Sequence, residues 1–278
     1  MSLTGLTEFV LHEIFLYLEA EDLYSLQKIH PKFYFLIKKY RHWYRKYNAQ
    51  TLTINKNGEN STRLEIDGYS ALDQEGQVVR KHSNRIIHGS IKDILNQISP
   101  VWLITDENEE LCEMHQKWWK NPKKIHIHHI LNYEKYLQHF QNCSTLILKD
   151  VPTIQLSTIL NHMVTVAHLD LKGNVDCTEE DFDNLIAKTT KLKYLSIDVS
   201  NTTRITNQTI TKLIKHTKFK PGRAVINFTK IYSTFQQLMD TFNQINIIDL
   251  YNFHQQCVLI RFPDNNELVL CYDELVPR

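Results

Sequence analysis

The chain has 278 residues, 42% of them hydrophobic and 23% charged, which is ordinary for a globular protein with a proper core. Lys and Arg (32) almost balance Asp and Glu (31), so no global field recruits nucleic acid or an acidic membrane surface. No run of apolar residues is long enough to span a bilayer, and Met1–Thr7 carries neither a basic nor a long apolar segment of secretory type.

Residues 6–47 read as three short helices. Leu11, Ile14, Phe15 and Leu18 form one helical stripe, since 3.6 residues make a turn. Asp22 is placed to cap a second helix carrying Leu23, Leu26 and Ile29, and Pro31 breaks the chain before Phe33, Leu36 and Ile37. About forty residues supply too little buried area for an independent core, so this unit needs a partner or the domain behind it. Next, Thr51–Ile54 and Arg63–Gly68 predict a hairpin about the polar segment 55–62, and residues 70–90 read as a connection.

From residue 91 a repeat emerges. Apolar residues spaced 0, +3, +4, +7 recur as Ile91/Ile94/Leu95/Ile98, Tyr133/Tyr136/Leu137/Phe140, Leu156/Ile159/Leu160/Met163 and Phe235/Leu238/Met239/Phe242. Copies with a polar slot begin at Leu111, Phe182 and Ile210, so successive starts lie 20 to 28 residues apart. Leu146, Leu169, Leu195 and Ile248 each fall 13 residues after their own stripe begins. Each opens an apolar-x-apolar pair: Leu146/Leu148, Leu169/Leu171, Leu195/Ile197 and Ile248/Leu250. Looser copies of the strand surround Trp102, Ile125/Ile127 and Ile226/Phe228. One helix and one short strand per unit is the arithmetic of leucine-rich repeats, whose units bury their apolar faces only by stacking. Thr178 with Asp181, and Thr206, supply helix caps. The fold class expected is α+β or α/β: a three-helix segment (1–47), then a repeat-like α/β domain (48–278, repeats about 91–252). A hairpin closes it over 257–273, its strands joined by Pro263-Asp264-Asn265-Asn266. An irregular α/β sandwich is the alternative.

The cysteines Cys112, Cys143, Cys177, Cys257 and Cys271 include no Cys-x-x-Cys and read as reduced, mostly buried thiols of a cytoplasmic or nuclear protein. On that reading the sequons at Asn60, Asn142, Asn201, Asn207 and Asn227 are not glycosylated. His126, His128 and His129, with His115 and His139 nearby, lack a Cys or acidic partner at metal-ligand spacing and read as exposed strand residues. No metal or cofactor is expected. Lys38, Lys39, Arg41, Arg45 and Lys46 interleave with aromatics as in single-strand binders, but nearby carboxylates dilute the field and a solvated helix end is the reading preferred. Asp106–Glu110 lacks the glycine and register of a calcium loop, and the Trp118-Trp119 pair reads as part core, part exposed. No phosphate-cradling loop, nucleophile elbow or His-Glu-x-x-His occurs, so an enzyme is not expected.

The order Leu6, Val10, Ile14-Phe15, Tyr17-Leu18, Asp22-Leu23, Leu26, Ile29, Phe33, Leu36 and Trp43 resembles an F-box. Followed by degenerate leucine-rich-like units and a terminal hairpin, it is similar to the large nematode expansion of F-box proteins. The resemblance implies docking on a Skp-family adaptor, and through it on a cullin ubiquitin ligase, while the repeats hold a protein target. Leu6, Leu11, Ile14, Phe15, Leu18, Leu23, Leu26 and Ile29 are the adaptor-binding candidates, some of them needed to hold the three helices together. The target-binding candidates alternate with the buried strand pairs: His126, His128, Thr145, Ile147, Lys149, His168, Asp170, Lys172, Tyr194, Ser196, Asp198, Asp249 and Tyr251. A free-standing interaction scaffold and a nucleic-acid binder are the competing readings.

Overall fold

The computed structural model describes residues 3–18, 20–40, 47–57, 61–72, 78–81, 85–88, 98–106, 111, 122–243, 245, 249–254, 256–264 and 266–277. The protein is mixed α/β, and the chain divides into two compact units, Met1–Pro122 and Lys123–Arg278. The boundary expected after residue 47 is thus internal to the first unit.

In the first unit, α1 (Glu8–Leu16) starts because Thr7 has extended backbone and its hydroxyl accepts from the N–H of Val10 at 3.4 Å. Helix α2 spans Ala20–Ile29, so Asp22 lies inside it and does not cap it. Helix α3 (Pro31–Tyr40) begins on Pro31, where the missing N–H costs nothing, and His30 Nδ1 accepts from the N–H of Lys32 at 3.1 Å. Leu11, Phe15, Leu23, Phe33, Leu36 and Ile37 form a buried core in which the Phe15 and Phe33 rings meet edge to face, 5.8 Å apart. Lys32 Nζ donates to the carbonyls of Thr4 (2.9 Å) and Leu6 (2.7 Å), tying the start of α3 to the segment before α1.

The predicted hairpin forms with longer arms: β1 (Tyr47–Asn57) and β2 (Ser61–Leu72) run antiparallel, with Asn57 opposite Ser61. Strands β3 (Val78–Lys81) and β4 (Arg85–His88) pair with successive stretches of β2, so part of the expected connection is sheet. Val78-Val79 and Ile86-Ile87 favour the pleat, and their charged flanks hid that signal. Strand β5 (Ile98–Asp106) lies parallel to β1. Ile91, Ile94 and Leu95 lie outside the described residues, while Ile98 opens a strand and does not close a helix.

The second unit holds β6 (Lys124–His128), a 3-10 turn over Tyr133–Tyr136 leading into α4 (Leu137–Phe140), β7 (Thr145–Gln155) and α5 (Leu156–His162). It continues with β8 (Val166–Asp176), α6 (Glu179–Lys188), β9 (Thr189–Val199), α7 (Asn207–His216), β10 (Arg223–Ile231) and α8 (Phe235–Asn243). It ends with β11 (Asp249–His254), β12 (Cys257–Arg261) and β13 (Glu267–Leu275). Caps set the helix starts: Thr178 and Asp181, and Thr206 and Thr209, each form a reciprocal capping box. Thr234 and Gln237 do the same for α8, the Thr234 N–H donating to Gln237 Oε1 (2.9 Å) and the Gln237 N–H to Thr234 Oγ1 (3.2 Å).

Strands β6 to β10 lie side by side in chain order, all parallel. The apolar pairs fall in register. Ile125, Leu146, Leu169, Leu195 and Ile226 make one buried ladder; Ile127, Leu148, Leu171, Ile197 and Phe228 make the next. Fully burying each such side chain contributes about 1.5–3 kcal/mol. The helices cover this face, and the Phe182 ring of α6 meets Phe228 edge to face at 6.1 Å.

One expectation fails at the C-terminal end. The neighbour of β10 is not β11 but β13, parallel to it, and the sheet continues β13, β12, β11 through antiparallel pairs. Leu270 and Tyr272 extend the two ladders opposite Ile226 and Phe228, so the expected terminal hairpin lies within the sheet and the last repeat strand is displaced to its edge.

The backbone takes special conformations just past the paired apolar residues, inside β7 and β8 and immediately after β6. His129 and Asp150 take positive φ (51° and 57°), and Gly173 has φ of 152°; each stands two residues after the second apolar residue of its strand. Side chains from the following strand, or from the loop after it, satisfy the polar groups beyond. The N–H of Cys177 donates to Thr203 Oγ1 (3.0 Å) and that of Val199 to Thr229 Oγ1 (2.8 Å), while Asp176 accepts from Ser200 and from Thr202 (2.7 Å).

Candidate interaction surfaces

On the three helices, the eight adaptor-binding candidates separate by burial. Leu11, Phe15 and Leu23 are fully buried, and Leu6, Leu18 and Leu26 pack partly against the same core, so these six hold the helices together. Only Ile14 (38% exposed) and Ile29 (70%) face outward. The sequence reading missed the most exposed apolar side chains: Phe9 (72%), Tyr17 (80%) and Phe35 (66%), with Val10 and Tyr34 beside them in the chain. Val10, Ile14 and Tyr17 share a stripe on α1 by their 0, +4, +7 spacing, next to the buried Leu11–Phe15 stripe. A stripe of this kind was visible in the sequence; which of two adjacent stripes turns inward is decided by packing. Of the basic run, Lys38 and Lys39 are exposed at the end of α3, Lys39 pairing with Glu8 at 3.4 Å, and residues 41–46 lie outside the described residues.

In the second unit, the strand face opposite the helices carries most of the target-binding candidates. Thr145, His168 and Tyr194 stand in one row, and His126, Ile147, Asp170 and Ser196 in the next. The His168 and Tyr194 rings stack at 4.6 Å, and the His126 and His128 rings lie 4.1 Å apart. Lys172 donates to Ser196 Oγ (3.0 Å) and Asp198 Oδ1 (3.3 Å), and Asn227 adds a bond to Ser196 Oγ (3.2 Å). Ser196 is thereby fully buried and presents nothing to a partner, a correction to its expected role. Lys149 remains half-exposed at the end of its row, opposite His128. Asp249 and Tyr251 do not join this surface. They lie on edge strand β11, with β12 and β13 between them and β10.

The electrostatics of the face follow from partial burial. Burial, then His128 and Lys149, pushes His126 down to about 4 from 6.5; burial, then Lys193 and Lys124, does the same to His168. Burial raises the Asp170 carboxyl, with Lys172 and Lys149 opposing. His126 Nε2, His168 Nε2 and Asp170 Oδ1 make no hydrogen bond among the described residues. His129 lies beside the His128 ring, centroids 6.1 Å apart, and pairs with Asp150 at 3.0 Å, and His139 is buried on α4. Among the described residues no three His, Cys, Asp or Glu side chains converge as metal ligands. His115 and the Trp118-Trp119 pair lie outside the described residues. So do Glu107–Glu110, while Asp106 ends β5.

A pH dependence follows. Above about pH 6.5 both histidines are neutral folded and unfolded; below it the unfolded rings take protons that the folded ones refuse until about 4. Stability is therefore full above 6.5 and is lost as pH falls toward 4. The slope is at most about 1.4 kcal/mol per pH unit per ring, reduced because both rings are half-exposed. The raised Asp170 has the opposite sign and offsets only the acid end. Urea midpoints measured from about pH 7.5 to 4.5 should fall, and H126Q with H168Q should flatten the curve; an unchanged slope in that variant would refute the assignment.

A cleft of about 840 Å³ opens beside the C-terminal ends of β7 and β8, lined by Asp176, Glu180, Asp181 and Asp183 among others. Its three aspartates already have structural tasks: Asp176 accepts from Ser200, Thr202 and Gln155, Asp181 caps α6, and Asp183 pairs with Lys212. The cysteines are less hidden than expected. Cys143 is buried, but Cys177, Cys257 and Cys271 are only partly so, and Cys112 lies outside the described residues. No helix among the described residues is long and apolar enough to cross a membrane. Comparisons with protein-family models, curated proteins and solved structures find no match.

Proposed function

We propose that the protein is a non-enzymatic substrate-recognition adaptor of a cullin-type ubiquitin ligase, acting in the cytoplasm or nucleus. The three helices are an F-box that docks on a Skp-family adaptor, and the parallel strand face of the second unit, read as degenerate leucine-rich units, holds the protein target. The observation that carries this reading is the exposure of Phe9, Tyr17, Ile29 and Phe35 on a helical segment of some forty residues. Large apolar side chains left in water on so small a unit mark a docking surface. The order of residues from Leu6 to Leu36 supplies the kind of partner. The open face supports the second half: rows of His, Asp, Lys and Tyr across adjacent strands, chemically mixed, suit a protein better than a small ligand.

Titration of the full chain with a purified Skp-family adaptor should give a saturable one-to-one complex in the micromolar range or tighter. No complex with a chain shown to be folded overturns the ligase reading. Within such a complex, D170K with D198K is expected to reduce co-purified ubiquitylated protein without weakening adaptor affinity. Loss of both together would remove the target role from this face.

A further inference from the structure

Cys257 and Cys271 are 14 positions apart in sequence but directly opposite one another on antiparallel β12 and β13. The N–H of Tyr272 donates to the carbonyl of Gln256 at 2.9 Å, so the 256/272 pair is hydrogen-bonded and the 257/271 pair, one step along, is not. Non-hydrogen-bonded pairs bring side chains closest, with Cα atoms about 4.5 Å apart, inside the roughly 4.4–6.8 Å range that a disulfide spans. Their sulfurs lie 2.8 Å apart, and both residues are only partly buried. The other described cysteines have no such partner: Cys143 is buried near β7 and Cys177 follows β8.

We propose that Cys257 and Cys271 form a reversible cross-strand disulfide, a modification site that ties β12 to β13. With glutathione disulfide as oxidant, the Cys257 thiolate attacks one glutathione sulfur and expels a glutathione thiolate, leaving a mixed disulfide on Cys257. Cys271, whose thiol burial pushes up to about 12, gives up its proton second and attacks Cys257 Sγ, expelling the second glutathione. Two electrons pass from the cysteine pair to the oxidant, which leaves as two thiols, and excess thiol reverses both steps. Cys271 also stands opposite Asn227, which donates to the buried Ser196, so the bond lies in the continuation of the row that begins at His126. The site stands independently of the adaptor reading.

The test is to equilibrate the full chain in graded ratios of reduced to oxidised glutathione, quench with acid, alkylate under denaturing conditions and map the peptides by mass spectrometry. The expected product is a Cys257–Cys271 cross-linked peptide that dithiothreitol removes, with Cys143 and Cys177 remaining alkylated. C257S should leave Cys271 carrying at most a single glutathione. If the wild-type chain instead ends with glutathione on each cysteine separately, or with Cys257 and Cys271 as alkylatable as Cys177 in the most oxidising buffer, the disulfide is refuted.

Discussion

Replacing Phe9, Tyr17 and Phe35 together by Ala is expected to abolish capture of the Skp-family adaptor while the protein stays folded. These side chains are 66–80% exposed, so cutting them back removes little packing from the chain itself. Surface changes of this kind shift stability by about 0.5 kcal/mol or less. At a docked interface the same groups are anchors, and each large aromatic truncation typically costs about 2 kcal/mol or more, roughly thirtyfold in affinity. F15A is the counterpart. Phe15 is fully buried against Phe33, and its loss is expected to cost about 3–5 kcal/mol of folding stability. Calorimetric titration and thermal melting separate the two. The triple variant should lose binding and keep its melting temperature, whereas F15A should lower the melting temperature first. If the triple variant binds as wild type does, these exposed aromatic side chains are not the docking surface and the F-box reading loses its support.

The contrast between those variants also shows where sequence reasoning stops. Leu11 and Phe15 lie on one stripe of α1, Val10, Ile14 and Tyr17 on the next, and both stripes are apolar. Periodicity finds the helix but cannot choose between adjacent apolar stripes, because that choice belongs to the crossing of α1 over α3. In the second unit the strands carried more information. Leu146/Leu148, Leu169/Leu171 and Leu195/Ile197 each follow a helical stripe at one fixed offset, and equal units stacked in order bring equal positions into register. The same logic misplaced the Leu250 strand. Leu268, Leu270 and Tyr272 alternate as well as any repeat strand, and β12 and β13 are joined to β11 by short antiparallel connections. Which member of that meander pairs with β10 is a long-range choice, and no local pattern in the Asp249–His254 segment records it. Ser196 was misjudged for a related reason. Alternation placed it correctly on the open face, but its burial comes from Lys172 and Asn227 on two other strands.

Among the described glycines, the largest stability loss from adding a single carbon is expected at Gly173. It lies in β8 opposite Val151, between two breaks in the register of β7 with β8, at φ of 152°. A Cβ built there falls inside the Val151 carbonyl group, main chain that no rotamer change can move aside. The Gly173 N–H also donates to Asp198 Oδ2 at 3.3 Å, so a shift of β8 disturbs the Lys172–Asp198 pair too. Steric strain and overpacking of this kind cost about 1–3 kcal/mol each, so G173A should lose about 3 kcal/mol or more. In a unit of this size that lowers the melting temperature by about 6–12 °C. Gly222 and Gly5 grade the comparison. Gly222 has φ of 97° but nothing within 4 Å of an added Cβ, so G222A should show backbone strain without the clash and a smaller loss. At Gly5 neither the space nor the backbone opposes a side chain, and G5A should be neutral. Calorimetry of the three variants should rank them G173A, G222A, G5A. If G173A melts with wild type, the chain does not approach itself at Val151 as described, and the pairing of β7 with β8 between its two breaks in register must be redrawn.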